Sequence, residues 1–429
     1  MKMNRHAGMN IRLKIICLGI LMILIPALYG EMNPGEKWAS FHGPNGDNKS
    51  KETGLLKKWP KNGPGLLWTA SGLGKGYSSV VIADQMIYTA GSSKEGTSVF
   101  AFDYKGKLKW KKPNGKKWKA GQQFWARDYD GSRATPTVND GLVYHLGELG
   151  SLTAFKANNG SKVWSINIVD TFDGVLPRYG YSESLLIHGN NLICYPGGPK
   201  GYIVALDKKT GKSVWANKDI KDAPGYDSPI LIKDHGIRQI FTMTTLGVIG
   251  ANADTGELLW RMEHSNKRKL NIANPVFQDG YVCISSGYGG GTVLIKLIYE
   301  GKKVTAKKVW FNDRLDNHHG GIIYLDGYIY GTGHNKKGWF CLDFKTGDTV
   351  YRDKDGGKGS FMYADGMFYY LTEKGMMNLV KPSPKSLEIV SSFQVPEGGK
   401  GPYWAHPVVC DGRLYIRHDD RLFVYKIKE

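Results

Sequence analysis

Cysteine is scarce in this chain, and no two cysteines are adjacent. The 429 residues include 5 cysteines, one of which, Cys17, lies in an apolar N-terminal segment. The CxxC pattern of redox and zinc sites is absent. Each remaining cysteine lies in a separate apolar, strand-like run, so we expect buried free thiols. These residues are Cys194, Cys283, Cys341 and Cys410.

Long apolar runs are also scarce. One run, IICLGILMILIPAL at 15–28, follows a basic stretch that ends at Lys14. It is short for a transmembrane helix and has the length of a signal-peptide apolar region. We therefore predict a signal peptide at 1–30, with an uncleaved anchor as the alternative, and no further membrane span. This predicts an exported protein of the periplasm or cell envelope, with secretion as the other outcome.

Acidic residues are few relative to basic ones. The chain has 39 acidic and 58 basic residues and a formal charge of +19, which falls to +15 when the four basic residues of 1–30 are removed. The lysines are spread along the chain, and no nucleic-acid recognition motif accompanies them, so no nucleic acid partner is expected. A basic exported protein can meet anionic glycans or lipid headgroups, and the alternative is a solvated lysine-rich surface.

Glycine, by contrast, is abundant at 56 residues, and much of it falls in an internal repeat. Three copies share the pattern D/N-x-x-T-G-x-x-x-W/Y and begin at Asp207, Asn252 and Asp343. The Asp or Asn side chain can accept turn amides, and the glycine takes the positive φ that the turn needs. A second hairpin precedes each copy, so the unit has four short strands. A period of about 40–50 residues indicates β-propeller blades.

The number of blades follows from the aromatic residues that end successive units. Seven such residues are Trp110, Trp164, Trp215, Trp260, Trp310, Tyr351 and Phe393. After Phe393 the chain has residues for three more strands, and PGLLWTAS at 64–71 has the form of the missing fourth strand. We therefore predict an all-β fold: an eight-bladed β-propeller at 64–429, closed by an N-terminal strand. The segment 31–63 is predicted to be an irregular strap.

The AxDxxTGxxxW-like repeats resemble those of the PQQ-like (pyrroloquinoline quinone repeat) β-propeller family over nearly the whole chain after residue 30. The head FHGPNGD at 41–47 is similar to exported planctomycete-type members, whose functions are mostly unassigned. Resemblance to the quinoprotein alcohol dehydrogenases implies oxidoreductase activity with PQQ and calcium beside an adjacent Cys-Cys pair. Resemblance to the BamB-like outer-membrane assembly propeller implies a non-catalytic role. Because this chain has no adjacent cysteines, no cofactor is expected, with PQQ and Ca²⁺ as the alternative.

A candidate site follows from the propeller itself. The residues just before the first strand of each blade should converge on one end of the central channel. They are aromatic, cationic, amide and imidazole residues with one acid, which suits a polar or anionic ligand such as a sugar or a carboxylate. The alternative is a channel filled with polar side chains and water. The predicted ligand-binding ring consists of Tyr77, Arg133, Tyr181, Tyr226, Asp227, Asn271, His319, Trp404, His406 and Arg417.

Two further segments are predicted to lie at this end of the channel. In NHHGG at 317–321, adjacent side chains of an extended strand point to opposite faces. We therefore expect only His319 to face the channel, and no metal site. The long loop 113–132 is aromatic and basic, which predicts either a lid or partner surface, or a cluster packed over the funnel.

These patterns assign no catalytic residues and favour a non-enzymatic function. We predict a monomeric, exported binding or scaffold module for a cell-envelope protein or an anionic polysaccharide. The alternative is an enzyme at the funnel, either a PQQ-dependent-dehydrogenase-like oxidoreductase or a sugar-acting enzyme. The residues for the latter would be His319, His406, Tyr181 and Arg417.

Overall fold

The computed structural model describes residues 38–120 and 129–429. The predicted signal peptide, the start of the strap and the middle of the 113–132 loop lie outside the described residues. The described chain folds as an eight-bladed β-propeller of antiparallel four-stranded blades, which confirms the predicted fold class. Within the described residues, no helix has the length and apolar character needed to span a membrane.

The blades are numbered 1 to 8 in chain order, and each begins with its innermost strand. Blade 1 contains Val81–Ala83, Met86–Ser93, Gly96–Asp103 and Leu108–Pro113. Blade 2 contains Thr137–Asn139, Leu142–Leu146, Ser151–Lys156 and Lys162–Asn167. Blade 3 contains Leu186–His188, Asn191–Cys194, Val204–Asp207 and Ser213–Ala216. Blade 4 contains Ile230–Asp234, Ile237–Met243, Gly247–Asn252 and Leu258–Glu263.

The second half of the ring repeats this order. Blade 5 contains Val276–Gln278, Tyr281–Ser286, Gly291–Glu300 and Lys303–Asn312. Blade 6 contains Ile322–Leu325, Tyr328–Gly333, Gly338–Asp343 and Thr349–Asp353. Blade 7 contains Gly359–Ala364, Met367–Thr372, Met376–Lys381 and Glu388–Gln394. Blade 8 contains Val408–Cys410, Arg413–His418, Arg421–Lys426 and the outer strand Gly65–Ala70. A short helix, Ile168–Phe172, follows blade 2.

The repeated turn explains why neighbouring blades pack. In blade 3 the carboxylate of Asp207 accepts the amide of Thr210 at 2.8 Å, and Gly211 has a φ of +73°. A Cβ atom on Gly211 would lie 2.7 Å from the ring of Trp164 in blade 2. The Nε1 atom of that tryptophan donates to the carbonyl oxygen of Lys208 at 3.0 Å. The glycine therefore serves both the turn and the close approach of the aromatic ring.

The two ends of the propeller meet in blade 8. Gly65–Ala70 pairs antiparallel with Arg421–Lys426, with Trp68 opposite Val424. The Trp68 Nε1 atom donates to the carbonyl oxygen of Tyr104 in blade 1 at 3.0 Å, as a blade-ending tryptophan does elsewhere in the ring. The predicted closure by an N-terminal strand is therefore confirmed, and it leaves no unpaired edge between the first and last blades.

The N-terminal segment 38–50 crosses the central channel, and we call it the plug. Trp38 bridges to Ile82 in blade 1, and the Val138 amide of blade 2 donates to the carbonyl of Ala39. Further along, Gly46 lies against Ile230 of blade 4. The plug ends with Lys49–Ser50, which adds to the inner edge of blade 7 as a parallel strand.

The apolar core lies between the blades and is built from aliphatic and aromatic residues of facing sheets. The four described cysteines are buried free thiols within this core, as predicted.

Candidate functional site

The side chains at one end of the channel enclose a cavity of about 490 Å³. Its walls come from the loops that precede the first strands of the blades, and its floor includes Phe41 and His42 of the plug. A second cavity of about 520 Å³ lies between the plug residues 39–46 and the first strands of blades 2 to 4. Phe41 contributes to both cavities, so the plug separates them. We call the first cavity the funnel.

Six residues of the predicted ring line the funnel. They approach it from blades 1, 2, 4, 6 and 8, which are distant in sequence and are brought together by the ring. These six are Tyr77, Arg133, Tyr226, His319, Trp404 and His406.

The other four members of the predicted ring do not line the funnel, because their side chains are hydrogen-bonded inside the propeller wall. Tyr181 and Asp227 bond within their own blades, and Asn271 and Arg417 bond to the neighbouring blade. The Tyr181 hydroxyl donates to Pro196 O at 3.0 Å, and Asp227 accepts the Met243 amide at 2.9 Å. Asn271 donates from Nδ2 to Thr244 O at 2.7 Å. Arg417 is 1% exposed and donates to Thr89 Oγ1 at 2.8 Å and to the carbonyls of Ala90 and Gly74. Residues near the strand starts thus divide between the funnel and the blade interior.

The expectation for NHHGG is wrong in one respect, because both histidines line the funnel. Residues 319 and 320 form a bend rather than extended strand, and Gly321 has a φ of +79°. The two side chains are therefore not forced to opposite faces. Their Nδ1 atoms lie 3.2 Å apart, and Lys358 Nζ lies 3.1 Å from His318 Nδ1.

The sequence pattern also missed residues on the loops between the second and third strands. Tyr288, His334 and Glu373 line the funnel from such loops in blades 5, 6 and 7. An antiparallel second strand ends where the first strand begins, so these loops lie at the same end of the channel. These loops could have been identified from the sequence, because each follows a second strand. They are the stretches SSGYGG (285–290), GTGHNKK (331–337) and LTEKG (371–375). Arg268, before the first strand of blade 5, was also missed.

The funnel has more positive than negative charge. Among the described residues that line it, the cations are Arg133, Arg268 and Lys358, and the carboxylate is Glu373. Lys358 Nζ pairs with Glu373 Oε1 at 2.9 Å. Glu373 also accepts the indole N–H of Trp404. Burial lowers the pKa of Lys358, and the attraction of Glu373 opposes that shift.

The five histidines of the funnel are neutral at pH 7. Burial is the main cause, and it lowers the pKa of His406 to about 4 and that of His42 well below the ordinary value. For His318 and His319, burial and then the charge of Lys358 hold the pKa well below its usual range. For His334 the same two causes lower the pKa. The imidazoles therefore act as neutral hydrogen-bonding groups.

The described ends of the 113–132 loop pack against the funnel rim. The Tyr129 ring stacks on Trp404 with centroids 5.3 Å apart, and the Trp118 ring lies 5.9 Å from Tyr179. The Arg133 guanidinium lies 5.6 Å from the Tyr77 ring centroid. Phe124, Trp125 and Arg127 lie outside the described residues. The described part thus forms an aromatic and cationic rim.

Comparison with known protein families shows to which family the chain belongs. Residues 116–353, more than half of the chain, match the family described as "Outer membrane protein assembly factor BamB". The chain therefore belongs to this family of PQQ-like repeat β-propellers, and the resemblance inferred from the repeats is confirmed.

Relatives of two kinds share this repeat sequence. Quinoprotein alcohol dehydrogenase PedH of Pseudomonas putida is 27% identical over 244 residues, covering 53% of this chain and 37% of that protein. Outer membrane protein assembly factor BamB of Burkholderia pseudomallei is 25% identical over 250 residues, covering 55% of this chain and 60% of that protein. The matched segments thus span less than two thirds of either relative.

Solved structures share the fold at low identity. BamB from Moraxella catarrhalis has a TM-score of 0.60 at 15% identity, covering 85% of this chain and 98% of that one. Quinohemoprotein alcohol dehydrogenase ADHIIG from Pseudomonas putida HK5 has a TM-score of 0.63 at 14% identity, covering 92% and 80%. These likenesses concern the fold.

The donor set of the funnel does not match a calcium–quinone centre. Calcium takes six to eight oxygen ligands, usually with several carboxylates. Among the described lining residues Glu373 is the one carboxylate, and it is already bonded to Lys358 and Trp404. The four described cysteines lie buried in the blades rather than in the funnel lining, so they do not form the paired thiols of the quinoprotein branch.

Proposed function

We propose that this chain is an exported, non-catalytic binding module of the cell envelope. Its funnel takes up a polar ligand that carries an anionic group, such as the end of an acidic glycan. The observation that carries this proposal is the composition of the lining. It contains three cationic side chains and one carboxylate in a concave, partly aromatic cavity. Cavities of this kind, mostly apolar with a few convergent polar groups, are typical ligand sites.

Arg268 is the cation best placed to meet a ligand. Its guanidinium lies 4.8 Å from the ring centroid of Tyr288, and its side chain has no carboxylate partner among the described residues. The neighbouring Leu270, Ile272 and Ala273 give the funnel an apolar wall. A charged group beside an apolar wall suits an acidic sugar, because such a sugar has both a carboxylate and apolar C–H faces.

Calorimetric titration of the exported chain with trigalacturonate and with neutral maltotriose tests the proposal. We expect trigalacturonate to bind and maltotriose to bind at least about fivefold more weakly, because the unpaired cation stabilises the carboxylate. Arg268→Gln should weaken trigalacturonate binding at least about tenfold, the loss expected for one hydrogen bond to a charged group. Lys267→Gln is the matched control, because it removes the same charge outside the funnel. Equal binding of both sugars, or equal effects of both substitutions, would contradict the proposal.

The family match favours a second candidate, a scaffold for an envelope protein, since the matched family is described as an outer membrane assembly factor. Under that function neither sugar binds. Both candidates require export, and recovery of the full chain in the cytosolic fraction of its cells would contradict both.

A further inference from the structure

His42 of the plug is a buried polar residue of the funnel floor that the sequence patterns missed. It is 6% exposed, lines the funnel, and stacks on Phe41 with ring centroids 3.9 Å apart. Its Nε2 atom lies 3.0 Å from Nδ1 of His406, which belongs to blade 8. The two imidazoles therefore form a bonded pair at the floor of the funnel.

The surroundings of this pair determine where its protons lie. His406 Nε2 lies 2.8 Å from the carbonyl oxygen of His319, and a carbonyl oxygen can only accept. The proton of neutral His406 is therefore on Nε2, and its Nδ1 atom accepts. It follows that His42 donates from Nε2. Because His42 is also neutral, its Nδ1 atom carries a lone pair and no proton.

The Nδ1 atom of His42 has no hydrogen-bond partner among the described residues, and there is space beside the ring. Gly321 faces the edges of both imidazoles, and a Cβ atom there would still lie 3.9 Å from His42 Cε1 and 3.7 Å from His406 Cε1. By contrast, His319 Nε2 also lacks a hydrogen-bond partner but is enclosed by its neighbours. His42 is therefore a histidine of the funnel floor whose acceptor nitrogen a ligand can reach.

We propose that His42 Nδ1 is the hydrogen-bond acceptor for a ligand hydroxyl at the funnel floor, so that the ligand is a hydroxylated acid of the saccharide type. A bare imidazole nitrogen attracts an O–H group and repels the lone pairs of a carboxylate. The hydroxylated end of the ligand therefore lies at the funnel floor, and its anionic group lies beside the cationic side chains of the funnel. This inference rests on the proposed function, since it names the ligand class of the same funnel.

Nitrogen NMR of histidine-labelled protein tests the proton positions directly. We expect His42 and His406 both to be protonated on Nε2, and the His42 Nδ1 resonance to move when trigalacturonate is added. This measurement uses the unmodified protein, so it stands even if a substitution at His42 impairs folding. A proton on His42 Nδ1 would overturn the inference.

Titration with two probes tests the ligand class. His42→Phe removes the acceptor and keeps a ring against Phe41, and we expect it to weaken trigalacturonate binding about tenfold, as the loss of one buried hydrogen bond does. Tricarballylate, a tricarboxylate without hydroxyl groups, should bind both proteins equally. His188→Phe is the control, because His188 lies outside the funnel and its hydrogen bond with Asp254 is at the surface.

The outcomes separate the two proposals. If trigalacturonate binds wild type and His42→Phe equally, the hydroxyl subsite is wrong and the proposed function stands. If neither probe binds wild type, both the proposed function and the hydroxyl subsite are wrong.

Discussion

Two buried carboxyl groups, Glu183 and Asp227, occupy equivalent positions before the first strands of blades 3 and 4. Glu183 accepts the amide of Tyr195 at 3.0 Å, and Asp227 accepts that of Met243 at 2.9 Å. Burial raises the pKa of each to about 8, and the charge of Asp227 adds to the shift of Glu183. Both groups are therefore largely protonated in the folded protein at pH 7, while in the unfolded chain they are ionised.

This difference gives stability a definite dependence on pH. Between roughly pH 4 and pH 8 the folded state binds more protons than the unfolded state, so the free energy of unfolding falls as pH rises. Asp227→Asn removes one such group. Between pH 5 and pH 8 we therefore expect the free energy of unfolding of the variant to fall less steeply than that of wild type, by on the order of 1 kcal/mol per pH unit. Urea unfolding at several pH values measures this. Asp279→Asn, at an exposed hairpin turn, should keep the wild-type slope, and the same slope for Asp227→Asn would refute the assignment.

At the scale of the element, the glycine of the blade turn has two separable roles. In blade 4, Gly256 has a φ of +77°, and a Cβ atom there would lie 2.5 Å from the ring of Trp215 in blade 3. Gly236, in the first hairpin of the same blade, has a φ of +78° and open space around its Cβ position. The two glycines thus share the backbone conformation and differ in the aromatic contact.

Comparing Gly256→Ala with Gly236→Ala isolates that contact. Both substitutions have the cost of positive φ, about 1 kcal/mol. Gly256→Ala must also displace the Trp215 ring, which adds about 1–3 kcal/mol for overpacking. Thermal unfolding should therefore show the larger loss for Gly256→Ala. Equal losses would mean that the aromatic contact does not constrain the turn.

The blades could be predicted from sequence because their determinants are local. The turn glycine, the Asp or Asn before it and the terminal tryptophan lie within one short segment and recur in register. The funnel was predicted only in part, because its lining depends on which strand-start side chains turn inward. Asp227 lies next to Tyr226 in the chain, yet only Tyr226 reaches the cavity. His42 carries no periodic signal, and its position depends on the path of the plug across the channel.

At the scale of the whole molecule, closure of the ring has an entropic cost that the four strands of blades 1 to 7 do not have. The strand 65–70 pairs with 421–426 across about 350 residues, whereas the outer strand of blade 1 pairs with its immediate neighbour. In the unfolded chain, loop-closure entropy makes this distant pairing about 3 kcal/mol harder to form than a hairpin pairing.

Proline substitutions at equivalent positions test this cost. Thr69 pairs with Phe423, and Lys111 pairs with Phe100; each follows the tryptophan of its outer strand. Proline removes a backbone donor at either site. We expect Thr69→Pro to lower the unfolding temperature more than Lys111→Pro, and to raise hydrogen exchange across residues 408–426. Similar effects of the two substitutions would show that ring closure adds no special cost.

The pairing of the first propeller strand with the last also sets an order in time. During synthesis Gly65–Ala70 emerges early, but its partner Arg421–Lys426 is made about 350 residues later. Blades 1 to 7 can form as their residues become available, since each has its own four strands. Blade 8 must wait for residues 421–426. The complete ring can therefore form only after these residues have left the ribosome.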